Sequence, residues 1–217
     1  MAFINHSSLD DANPSDAAII AKWAYGKMAD SDLPDGWEPI EFENTDQYSF
    51  DRKFFYNGTN GYAGAALYNI NTHEIVIAHR GTEMPTVADL GTDFLLPLLG
   101  NNLQSNSAEA FYQLVATKLT TDPTYANATI TAHVGDSLGG NLALYMASKH
   151  PDTESAIAFE APGVATSVDL NANHDNLITF LNPYDFVGSS CPHVGNVKFL
   201  NVADPGYQNA SVVSNDP

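Results

Sequence analysis

His133-Val134-Gly135-Asp136-Ser137-Leu138-Gly139-Gly140-Asn141-Leu142-Ala143 is the stretch that decides the fold. Before it, residues 128–134 form a short β-prone run. After it, residues 138–150 carry Leu142, Tyr145 and Met146 at core spacing for a helix, which Pro151 closes. The segment therefore predicts strand, tight turn and helix, with Ser137 at the apex. Gly135 and Gly139 flank the serine by two residues on each side, where strand and helix approach so closely that a side chain would obstruct them. Gly-x-Ser-x-Gly in that context is a nucleophile elbow. A helix that begins just after Ser137 also aims backbone N–H groups and its positive end at the oxyanion formed during acyl transfer.

The plainer alternative is a glycine-rich turn that merely contains a serine, and the flanking strand and helix weigh against it. Two lookalikes also fail. Gly-Asp-Ser-Leu names another esterase family, but there the motif lies near the N-terminus and an Asp-x-x-His pair near the C-terminus. Leu138 breaks the Gly-Asp-Ser-Gly-Gly of chymotrypsin-like proteins, and an alternating strand and helix pattern contradicts a double β-barrel.

Working outward, Pro14 and Ser15 lead into Ala17, Ala18, Ile19, Ile20, Trp23 and Ala24, an apolar helical face that ends near Gly26. Residues 62–68 and 74–79 read as two strands of a hairpin, the second running into Arg80-Gly81-Thr82. Ser107 is placed to cap a helix bearing Ala110, Phe111, Leu114, Val115 and Leu119. Further strands are expected at residues 156–159, 177–181 and 197–202. Strands alternating with helices predict an α/β architecture with a mostly parallel central sheet and helices on both faces. The run Phe94-Leu95-Leu96-Pro97-Leu98-Leu99 is too apolar for a free loop and is either core or lid.

The 217 residues, 44% hydrophobic and 11% aromatic, suit one domain spanning 1–217 with a substantial core. The polar ending fits a domain excised from something longer. With 26 acidic and 8 basic residues the formal net charge is −18. No basic cluster is present to neutralise phosphates, which argues against nucleic acid as a partner. The same charge repels anionic membrane surfaces, so lipid would be met through transient apolar contact or with cations screening the field. Solubility alone is the simpler explanation of the acidity. Cys191 is the single cysteine, so no internal disulfide forms. No signal peptide or membrane-spanning run is visible, and a soluble protein, exported if at all by another route, is expected.

Five ordered motifs carry a resemblance. They are Ile75-Val76-Ile77-Ala78-His79-Arg80-Gly81-Thr82, Asp89-Leu90-Gly91-Thr92-Asp93, the elbow, Ala158-Phe159-Glu160-Ala161-Pro162-Gly163 and Asn182-Pro183-Tyr184-Asp185-Phe186-Val187. Together they resemble the class 3, fungal-type lipases and their bacterial phospholipase A1-like relatives. The resemblance implies an α/β-hydrolase fold, acylglycerol or phospholipid substrates, no cofactor in the chemical step and often a mobile lid. It also implies Asp185 as the acid of the triad, and Thr82 and Leu138 as the backbone N–H donors of the oxyanion hole. Scattered His and Asp residues show no ligand spacing, so no metal is assigned.

A serine hydroxyl needs a histidine to take its proton and a carboxylate to orient that histidine. The fold orders them Ser, acid, His. Of His6, His73, His79, His133, His150, His174 and His193, only His193 follows Asp185. The family's catalytic histidine comes later, after the last strand, and residues 203–217 contain none. Three explanations stay open: His193 substitutes from a remodelled loop, the histidine lies beyond Pro217 in a longer protein, or the chain is a catalytically silent module that binds an acyl ligand or a protein partner. Asp136 stands where the family usually has histidine.

Overall fold

In a computed structural model of the chain, the described residues are 14–44, 49–81, 104–164, 168–183, 188, 191–202 and 210–213. The expectations for Thr82, Asp185 and residues 94–99 lie outside them.

Helix α1 (Pro14–Trp23) comes first and stops where Gly26, at φ 72, donates its N–H to the Trp23 carbonyl. Strands β1 (Trp37–Pro39), β2 (Ser49–Asp51) and β3 (Phe54–Asn57) precede the expected hairpin, β4 (Tyr62–Asn69) and β5 (Glu74–His79). Helix α2 (Ser105–Thr121) leads to β6 (Thr129–Asp136), and Ser137 joins β6 to helix α3 (Leu138–Ser148). Strands β7 (Ser155–Phe159), β8 (Leu177–Leu181), β9 (Asn196–Val202) and β10 (Ala210–Val213) follow. One sheet holds them in the order β10-β9-β8-β7-β6-β5-β4-β3-β2, with β1 alongside β4.

The central strands β5 to β9 are parallel, and antiparallel strands extend both edges. The sheet is therefore mixed outside its middle. All six residues of β5 and all five of β8 are buried, as strands covered on both faces should be. On one face α1 packs Ala17, Ile20, Ala21, Trp23 and Ala24 against Ala78, Ala132, Val134, Ile157 and Ile178. On the other, α2 and α3 pack Phe111, Val115, Leu142 and Met146 against Tyr62, Ile75 and Ile77. Burial of this kind contributes roughly 1.5–3 kcal/mol per large apolar side chain. Among the described residues no helix is long and apolar enough to cross a membrane.

Two expectations change. Helix α2 begins at Ser105, two residues before the predicted cap, and Gln104 occupies the cap position without a side-chain capping bond, its Nε2 donating instead to the Asn60 carbonyl at 3.0 Å. Ser107 is instead buried in the first turn, where its hydroxyl accepts from Asn57 Nδ2 at 2.8 Å and Asn60 Nδ2 at 2.9 Å. A serine that can cap can equally pin a neighbouring loop, and here it pins the turn between β3 and β4. The second change is β10, antiparallel to β9, so that residues 197–202 do not form the last strand.

Candidate active site

Strands β5 to β8 all end on the side of the sheet where α3 begins, and Ser137 sits at that junction with φ 54 and ψ −126. A non-glycine residue so placed carries about 1–3 kcal/mol of backbone strain. Its N–H donates to the Phe159 carbonyl at 2.8 Å, and its carbonyl accepts from Asn141 N–H at 3.1 Å, so the turn is clamped on both sides. A Cβ on Gly135 would lie 2.3 Å from the backbone of Gly139. One on Gly139 would lie 2.1 Å from the His79 carbonyl oxygen. The spacing read from the sequence is therefore a packing requirement, in which β6, the end of β5 and the start of α3 meet backbone to backbone.

This close approach sets Arg80-Gly81, the turn leaving β5, beside the first turn of α3. The N–H groups of that first turn have no partner inside the helix, and the positive end of the helix lies at Ser137, its N-cap. An anionic oxygen at this position would be stabilised.

On the α1 face, Asp136 accepts a hydrogen bond from the Tyr25 hydroxyl at 3.0 Å. Burial, together with the neighbouring Asp136 carboxylate, pushes the Tyr25 hydroxyl well above the usual phenol range, so it remains a donor. Beside the pair, a cleft of about 330 Å³ is lined by Ala18, Ala21, Lys22, Tyr25, Asp136 and Phe159.

On the opposite face a polar chain threads the core. Tyr62 Oη lies 3.0 Å from His79 Nδ1, His79 Nε2 lies 3.0 Å from His133 Nδ1, and His133 Nε2 lies 2.8 Å from Glu154 Oε2. The Tyr112 hydroxyl donates to the other Glu154 oxygen at 2.6 Å. With Glu154 as the terminal acceptor, one direction of donation satisfies every member. Each histidine donates from Nε2 toward Glu154, and Tyr62 donates to His79 Nδ1. Burial, reinforced by His133, lowers the His79 basicity well below the ordinary imidazole value. Both rings are fully buried, and this chain engages all four of their nitrogens.

The other described histidines are elsewhere. His73, His150 and His174 lie at the end of the sheet remote from Ser137. His73 immediately precedes β5, His150 follows α3, and His174 comes three residues before β8. His193 lies on the segment that returns from the top of β8 to the start of β9. There the neighbouring Pro192 carbonyl abuts Gly163, close to Asn141, whose Nδ2 donates to the Pro162 carbonyl at 3.1 Å. His193 Nε2 donates to the Gly188 carbonyl at 2.7 Å, its Nδ1 is buried without a partner, and no hydrogen bond joins it to Ser137.

Two contributors escaped the sequence. Glu160, at φ 47 just past β7, accepts the Asn182 N–H at 2.9 Å on both carboxylate oxygens and so fixes the backbone just past β8. Tyr25 reaches Asp136 across 111 positions of sequence, a separation no local pattern reveals. The Ala-Phe-Glu-Ala-Pro-Gly motif marks the first, but not the role of its glutamate.

Comparisons with known proteins agree with this arrangement. A family model described as "Putative esterase" matches residues 100–205. Among solved structures, a lipase from Rhizopus microsporus var. chinensis superposes with a TM-score of 0.55 at 16% identity, covering 91% of this chain and 75% of its own. A lipase from Yarrowia lipolytica gives 0.54 at 16% identity, covering 90% and 80%. A triacylglycerol lipase from Penicillium expansum gives 0.54 at 15% identity, covering 85% and 77%. No curated protein matches by sequence. The chain has the α/β-hydrolase fold, which it shares with these fungal lipase structures.

Proposed function

We propose that the protein is a serine hydrolase that cleaves carboxylic esters, acyl esters of lipids in particular, through an acyl-enzyme on Ser137. The observation that carries this is Ser137 itself, strained at φ 54 between β6 and the N-terminus of α3. The esterase family model and the lipase-like fold support the same chemistry.

Ser137 Oγ attacks the ester carbonyl carbon as its proton passes to a histidine. The resulting oxyanion is held by the N–H groups of Leu138 and Thr82. Collapse expels the alcohol, which takes the proton back, and water then releases the fatty acid by the reverse sequence. Asp185 orients the histidine. Within this chain the base is His193, the one histidine that follows Asp185 in the order Ser, acid, His; His79 and His133 are committed to the buried chain, and His73, His150 and His174 lie at the far end of the sheet. The His193 bond to Gly188 has to give way for the ring to serve.

That bond also favours the second reading, a silent module that binds an acyl ligand or a protein partner. Turnover of p-nitrophenyl butyrate separates the two. Wild type hydrolyses the ester, and Ser137→Ala and His193→Ala each lose on the order of 10³-fold or more in kcat/KM. Equal turnover by wild type and Ser137→Ala would overturn the proposal. Full activity in His193→Ala would remove only His193. Emulsified triacylglycerol and phospholipid vesicles then divide lipase from phospholipase. With a net charge of −18, zwitterionic vesicles should be attacked faster than anionic ones at low salt.

A further inference from the structure

The parallel pairing of β5 with β6 slips partway along. Ile75 is opposite Ile130 but Val76 is opposite Ala132, so Thr131 is an extra residue in β6. Beyond that irregularity Ile77 pairs with His133, Ala78 with Val134 and His79 with Gly135. These last pairs matter because both strands end there in a turn of the site. His79 is followed by Arg80, Gly81 and Thr82, and His133 stands four positions before Ser137. The slip uncouples this upper stretch from the register set lower down, and a register needs something to specify it.

Residues two apart share a face of a strand, so His79, Ile77 and His133 all face α2 and α3. The two rings are diagonal neighbours across the strands, and His79 Nε2 meets His133 Nδ1 at 3.0 Å with the planes 21° apart. This side-chain bond therefore spans β5 and β6 above the slip. It admits one register, because moving either strand by one residue carries its ring to the other face. Each end is anchored in turn. His79 Nδ1 meets Tyr62 on β4, while His133 Nε2 meets Glu154, whose own N–H donates to the His150 carbonyl at 2.9 Å just past α3. Tyr112 of α2 holds the other Glu154 oxygen and stacks on His150, with ring centroids 5.0 Å apart and planes 13° from parallel.

Building on the ester hydrolase proposed above, we infer that the hydrogen bond between His79 and His133 is a positioning element of the site: it fixes the lengthwise setting of β5 against β6 and so places the oxyanion turn opposite the nucleophile elbow. The connection is short. The His79 carbonyl abuts Gly139 in the first turn of α3, and a Cβ on Gly81 would lie 2.7 Å from the Asp136 carbonyl oxygen and 3.5 Å from the Gly139 nitrogen. A lengthwise shift of His79 is passed directly to the gap in which the oxyanion is held. Loss of the bond weakens an interaction made in the transition state and lowers kcat, with KM little changed.

Asparagine places its amide where the histidine Nδ1 stood and glutamine where Nε2 stood, so the two substitutions at each position separate the two ring contacts. His79→Gln and His133→Asn keep the bond between the positions, and His79→Asn and His133→Gln break it. Kinetics on p-nitrophenyl butyrate and thermal melts of all four variants are the test. The bond-breaking variants should lose about tenfold or more in kcat with KM within about twofold of wild type, and the bond-keeping variants should stay within about threefold. Stability should instead follow size, the two asparagine variants melting lower because they leave the larger void. A kcat that follows size, or is alike in all four, would overturn the inference and leave Ser137 standing. Should the variants fail to fold, nuclear magnetic resonance of isotope-labelled wild type still decides: a nitrogen–nitrogen coupling across the bond is expected, and its absence overturns the inference without any substitution. Absence of ester hydrolysis by wild type would overturn both readings.

Discussion

Replacing Gly139 by alanine tests the packing at the elbow most severely. The new methyl group would lie 2.1 Å from the His79 carbonyl oxygen and 2.8 Å from Arg80 C and Gly81 N, where ordinary contact begins at 3.4 Å. All three are backbone atoms, so no side chain can swing away. The end of β5 and the start of α3 must therefore separate by about 1.3 Å. Overpacking of this kind costs about 1–3 kcal/mol, and the absence of a flexible neighbour puts this site at the upper end. The gain of about 1 kcal/mol from alanine's helix propensity offsets only part. A net loss of about 2 kcal/mol corresponds to a fall in Tm of roughly 4–8 °C for a domain of this size. The same displacement moves the Arg80-Gly81 turn away from Leu138. A misplacement of about 1 Å at reacting groups can cost about 100-fold in rate. Calorimetry and p-nitrophenyl butyrate kinetics on Gly139→Ala read the two effects separately. A variant with unchanged Tm and kcat/KM within twofold of wild type would refute the backbone-to-backbone contact and the role assigned to it.

Buried His79 makes stability depend on pH. Burial holds His79 neutral in the folded protein, whereas in the unfolded chain it binds a proton near pH 6.5. The unfolded state thus carries more protons below that value. Stability is complete above about pH 6.5 and falls as pH drops, by up to about 1.4 kcal/mol per pH unit. Urea midpoints at pH 7.5 and 5.5 measure this, and His79→Gln should flatten the dependence. Tyr62→Phe removes the donor to His79 Nδ1 and leaves that nitrogen buried and unpaired, at a cost of about 1–3 kcal/mol in urea unfolding. If Tyr62→Phe is as stable as wild type, the direction assigned to the chain is wrong.

The elbow was legible because its constraint is local. Gly135, Ser137 and Gly139 must have those identities at that spacing, and the strand and helix on either side announce themselves by hydrophobic pattern. The hairpin of β4 and β5 was equally plain, since a polar turn separates two apolar runs. The short edge strands β1, β2 and β3 were not, because three or four residues give no measurable period and their pairing comes from distant partners. Strand β10 escaped for the same reason. The buried chain from Tyr62 to Glu154 joins residues from β4, β5, β6 and the position just before β7. In the sequence, His79 and His133 register only as strand histidines, and nothing marks their partnership. Ser107 misled as a cap because capping and loop-pinning use the same hydroxyl.

Reaction of the protein with a fluorophosphonate, followed by intact mass and peptide mapping, tests Ser137 most directly. The account predicts one stoichiometric adduct, located on Ser137 and abolished in Ser137→Ala. A protein that takes no adduct, or takes it on another residue, would contradict it.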